Sequence, residues 1–74
     1  MQRITFYGWH VGIRKVPFTF LLRDEVGLGI KEAHEAMLRV LDEKEVTLEV
    51  ADELAARLLA QAEALGVTCR SELA

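Results

Sequence analysis

Seventy-four residues, with nine Lys+Arg, twelve Asp+Glu and a formal net charge of −3, leave room for a single domain. Hydrophobic residues make up 51% of the chain, too many for a disordered tail, and the acidic balance argues against nucleic acid, whose binders carry basic excess. Cys69 is the only cysteine, which excludes an internal disulfide, and no apolar run approaches the ~20 residues that span a bilayer.

The opening Met1-Gln2-Arg3-Ile4 lacks the apolar core of a signal peptide, so a cytoplasmic protein is expected. Ile4-Thr5-Phe6-Tyr7 alternates β-branched and aromatic residues and predicts a first strand. Gly8 and Gly12 then bracket Trp9-His10-Val11 as a loop or an irregular strand end. Pro17 suits a first helical turn, where its missing N–H costs nothing. It predicts a helix from about Val16 to Val26, ended by Gly27-Leu28-Gly29.

A second helix follows from about Ile30 to Glu43, with Ile30, Ala33, Met37, Val40 and Leu41 as its buried stripe. Glu35 and Arg39 form a favourable pair on its other face. Val46 to Val50 alternates with period two and predicts a half-buried second strand. Asp52 is the expected N-cap of a third helix, whose core stripe is Leu54, Ala55, Leu58, Ala62 and Leu65. Gly66 ends that helix. Val67 to Leu73 closes the chain as a third strand, with Val67, Cys69, Ser71 and Leu73 on one face. The order β-α-α-β-α-β predicts an α+β fold, three helices packed on one face of a small, mainly antiparallel three-stranded sheet.

Lys15-Val16, Arg23 and the string Gly27-Leu28-Gly29-Ile30-Lys31-Glu32-Ala33 resemble the C-terminal domain of the bacterial ribosomal stalk protein. In that family a helix with a basic residue ends in a glycine-rich corner that starts the next helix. The second half, at Ala36-Met37-Leu38-Arg39-Val40 and Cys69-Arg70-Ser71-Glu72-Leu73, is similar to the Clp protease adaptor, which shares the fold. Both resemblances imply the same α+β architecture and a protein partner. The stalk family's factor-binding face maps onto Val16, Thr19, Phe20, Arg23, Lys31 and His34. Val16, Arg23 and Lys31 keep the family character there, whereas Phe20 and His34 stand in place of lysines and Thr19 in place of an aliphatic residue. The adaptor's pocket for a peptide N-terminus is not matched: its acidic loop is Gly8-Trp9-His10-Val11-Gly12 here, and Leu41 stands where it has histidine.

The residues themselves point the same way. Val16, Phe20 and Arg23 lie on a different stripe of the first helix from Phe18, Leu21 and Leu22. Aromatic plus arginine is the composition enriched at interface hot spots. Trp9 and His10 form a second candidate contact in their glycine-flanked loop. His10, His34 and Cys69 lack a metal-ligand spacing, so neither metal nor cofactor is expected. No nucleophile elbow, phosphate-binding glycine loop or metallohydrolase histidine motif is present, so the chain does not read as an enzyme. Three roles remain open: an interaction domain, a homo-oligomer that uses the same surface, and an accessory factor of the translation machinery.

Overall fold

The computed structural model describes residues 1–73. The chain runs β1 (Gln2–Trp9), α1 (Lys15–Leu21) continued by a π-helical segment (Leu22–Val26), α2 (Ile30–Leu41), β2 (Val46–Val50), α3 (Asp52–Ala64) and β3 (Val67–Leu73). The described residues thus form the expected α+β fold. β1 lies in the centre of the sheet, in the order β2-β1-β3, and is antiparallel to both neighbours. β2 and β3 therefore run parallel to each other, joined by α3 as a split β-α-β unit.

Strand alternation positions the core. Ile4 and Phe6 on β1, Val50 on β2 and Val67 on β3 are buried beneath the helices. Phe18 of α1 drops its ring edge-on against Phe6, with centroids 5.3 Å apart. α2 adds Ala33, Ala36, Met37 and Val40, and α3 adds Ala55, Leu58 and Ala62. Leu28, between the two corner glycines, packs half-buried against this cluster. Gly27 takes the left-handed conformation (φ 88°) that ends the first helix.

Several boundaries differ from the sequence expectation. β1 continues to Trp9, so of the two expected alternatives Trp9 takes the irregular strand end, while His10 and Val11 lie beyond the strand. A bulge between Phe6 and Gly8 shifts the alternation by one, which places Trp9 opposite Val67. α2 stops at Leu41 rather than Glu43, and its first residue, Ile30, is 52% exposed rather than part of the core; Ala36 is buried instead. Asp52 is the first helical residue of α3; the N-cap is Ala51, with no side-chain cap. Leu54 and Leu65 pack only half-buried against the core. Val67, Cys69 and Ser71 share the helix-side face through their pairing with Trp9, Phe6 and Ile4. The side chain of Leu73, expected beside them, lies outside the described residues.

Among the described residues the opposite face of the sheet carries no helix. Thr5, flanked by Thr47 and Arg70 in register, is buried there and shares a hydrogen bond with Thr47 (3.1 Å). The Arg70 guanidinium lies over the Tyr7 ring at 5.2 Å and donates to Glu72 (3.0 Å) and Glu45 (3.4 Å). Its hydrogen bond to Glu72 is the largest cause holding it above the usual arginine range. No helix among the described residues is long and apolar enough to cross a membrane.

Candidate functional site

α1 is apolar on more than one side, and the fold can cover only some of them. Phe18 and Leu22 face the sheet and are fully buried. Four and seven residues along from Val16, Phe20 and Arg23 share its outward stripe. Val16 is 62% exposed and Phe20 41%. Arg23 folds back so that its guanidinium lies 4.6 Å from the Phe20 ring centroid, while its Nε donates to Asp24 (2.8 Å).

Thr19 does not belong to this surface. It is 7% exposed, and its hydroxyl donates to the Lys15 carbonyl one turn back (3.0 Å). That internal bond satisfies the hydroxyl and allows the side chain to be buried between α1 and its neighbours. The expected contact role of Thr19 is therefore corrected to a packing role.

Lys31 and His34 are exposed on α2. No hydrogen bond or ion pair among the described residues links either one to α1. α2 also presents Ile30 (52% exposed) and Leu38 (48%), one on each side of His34 at four-residue spacing. α1 and α2 pack against each other across the Gly27-Leu28-Gly29 corner, so the pair carries Val16, Phe20, Ile30 and Leu38 as uncovered apolar side chains. Leu38 escaped sequence reasoning because its neighbours Met37 and Val40 match the core period better.

A second feature lies on the α3 flank of α1. Pro17, Phe20 and Leu21 face Gln61, Ala64 and Leu65 across an open groove of about 490 Å³. Asp24 and Glu25 of the π-helical segment also line it; Glu25 is clamped to α3 by Arg57 (2.8 Å). Such π turns often occur at functional positions. Phe20 thus borders both the exposed stripe and the groove. Nothing in the sequence pattern announced the groove, because its two walls are some forty residues apart.

Trp9 and His10 have local duties. The Trp9 indole N–H donates to the Leu41 carbonyl (3.1 Å), capping the end of α2, while part of the ring stays exposed. His10 shares a hydrogen bond with Thr68 (3.3 Å) through Nε2, and its backbone N–H donates to the Gly66 carbonyl (2.8 Å). The two side chains therefore tie β1 to α2 and the chain after it to β3, and no hydrogen bond among the described residues links either one to the Phe20 stripe. Among the described residues no group of three His, Cys, Asp or Glu side chains could hold a metal ion. Burial and, to a smaller degree, the charge of Glu63 push the Cys69 thiol up to about 11.

No protein-family model, curated protein or solved structure matches the chain.

Proposed function

We propose that this chain is a small, cytoplasmic, non-enzymatic protein-binding domain of adaptor type, using α1 and the start of α2 as its contact surface. The observation that carries this reading is the uncovered apolar stripe Val16-Phe20, with Arg23 stacked on the ring. A half-exposed phenylalanine held by an arginine presents rigid apolar area at low entropic cost on binding. Ile30 and Leu38 extend the surface onto α2, and Lys31 and His34 form its polar rim.

Charge supports the same face. All four charged residues before Asp24 are cations (Arg3, Arg14, Lys15, Arg23), whereas all twelve acidic residues come after Arg23. Arg14 and Lys15 form no ion pair among the described residues. The stripe therefore begins in the basic part of an otherwise acidic chain, which suits a partner with carboxylates around an apolar contact. The stalk-like corner motif gives a reason to seek that partner first among translation factors.

The test is retention of proteins from the native lysate on tagged wild type and Phe20→Ala side by side, with circular dichroism to establish that both are folded. A protein held by the wild type and lost by the variant supports the reading. Equal retention by both would overturn it.

A further inference from the structure

We propose that the free edge of β3 pairs with the β3 edge of a second copy of this chain, antiparallel and two-fold about Ser71, to make one continuous six-stranded sheet. This interface is separate from the α1 surface and does not depend on it.

β2 and β3 are the two open edges of the sheet, and each exposes unpaired backbone donors and acceptors. They differ in charge. On the open face, β2 and the residue before it present Glu45, Thr47 and Glu49, with no cation among them. No two-fold register of β2 can set opposite charges across the seam. β3 presents Arg70 and Glu72 on that face, both exposed, on each side of Ser71. A dyad through Ser71 places Arg70 of each copy directly opposite Glu72 of the other. Both cross-strand pairs are then of opposite charge.

The local structure leaves this register open. Arg70 has five N–H donors, and bonds to the chain's own Glu72 and Glu45 use two of its nitrogens. The bulge of the β1–β3 ladder lies at Phe6/Gly8, toward Thr68 and away from Ser71. No proline or lysine stands in β3 to block an edge. Ser71 is on the helix-side face yet exposed, so no helix stands over the dyad. Leu59 and Cys69, half-buried beside the same edge, add apolar area next to the seam. A chain this small, without a disulfide, also gains most from self-association.

Sedimentation equilibrium and light scattering of the purified chain test this directly. The wild type is expected to be a dimer. Arg70→Glu and Glu72→Arg should each be monomeric, because the dyad turns every single reversal into two like-charge pairs. An equimolar mixture of these two variants should regain a dimer, and the double variant Arg70→Glu/Glu72→Arg should dimerise by itself. Circular dichroism separates a lost interface from a lost fold. A wild type that stays monomeric into the millimolar range overturns the proposal, as do single variants that dimerise like the wild type. A dimer lost with Phe20→Ala but kept in both charge variants would move the interface to α1 and likewise overturn it.

Discussion

The guanidinium of Arg23 sits 4.6 Å from the centroid of the Phe20 ring, while its Nε is held by Asp24. The stacking favours one orientation of the more exposed of α1's two phenylalanines without burying it. An exposed cation–π contact of this kind contributes about 0.5–1 kcal/mol, so Arg23→Ala should barely change thermal stability. It should weaken partner retention through a faster off-rate, since the ring would have to be ordered on binding. Surface plasmon resonance against the captured partner checks this. An unchanged off-rate would mean that Arg23 does not prepare the ring for contact.

Phe6 and Phe18 make the opposite case, because both are fully buried and meet edge-on at the centre of the helix–sheet interface. Phe18→Ala removes most of what fastens α1 to the sheet and leaves a cavity. A loss of about 3–5 kcal/mol is expected, close to the whole stability of a domain this size. Urea denaturation should show the variant largely unfolded, whereas Phe20→Ala should shift the midpoint only slightly. Similar midpoints for the two variants would contradict the burial difference.

Gly66 turns the chain from α3 into β3 with φ at 92°, and its carbonyl accepts from the His10 backbone N–H. A Cβ built there would stand 3.0 Å from the Ile13 Cα, a backbone atom that cannot swing away. Gly27 has a similar φ of 88° but nothing within 4 Å. Gly27→Ala should therefore cost only the left-handed penalty of about 1–2 kcal/mol. Gly66→Ala should cost visibly more and loosen the β1–α1 turn as well. Equal destabilisation in matched urea titrations would show that the Ile13 segment yields freely.

Trp9 binds the Leu41 carbonyl through its indole N–H, the one polar tie among the described residues between the end of β1 and the end of α2. Trp9→Phe keeps a ring on the strand and removes that donor. Because the carbonyl can turn to water, the cost should be about 1 kcal/mol or less. Amide exchange in the last turn of α2 should quicken in the variant. Unchanged exchange there would reduce Trp9 to surface packing.

The element order was legible because the signals agree: period-two alternation in β1 and β2, helical stripes in α2 and α3, and Gly27 and Gly66 where the first and third helices stop. Spacing also set Val16, Phe20 and Arg23 on a stripe apart from Phe18, Leu21 and Leu22, but whether loops cover Phe20 was decided only by the fold, which leaves it 41% exposed. Thr19 could not be placed that way, since only the packing of α1 on its neighbours turns one side of that stripe inward. Ile30 keeps the helical period of a core residue but stands at the first position of α2, beyond the cover of the sheet. The bulge after Phe6 broke the strand alternation and moved Trp9 to the other face; a one-residue slip of this kind leaves no mark in composition. The α1–α3 groove and the charge register of the β3 edge depend on tertiary placement, which local pattern does not encode.

Cys69 offers a test of how tightly α3 closes over β3. Its Sγ–H points at the Leu59 carbonyl (3.9 Å), and burial first, then the charge of Glu63, pushes the thiol from the usual 9.0 to about 11. At pH 8 the thiolate fraction in the folded chain should be about 100-fold below that of the unfolded chain. Iodoacetamide should accordingly label the native protein about that much more slowly than the urea-unfolded one. The stability effect has a definite sign. The folded state holds its proton to higher pH than the unfolded state, so this contribution is complete below pH 9 and is lost as pH rises through 11. The stability difference between wild type and Cys69→Ala should therefore narrow across that window, and the reactivity of Glu63→Gln should rise at every pH below it. Native labelling as fast as the unfolded rate would mean that α3 opens from β3 far more often than its packing implies.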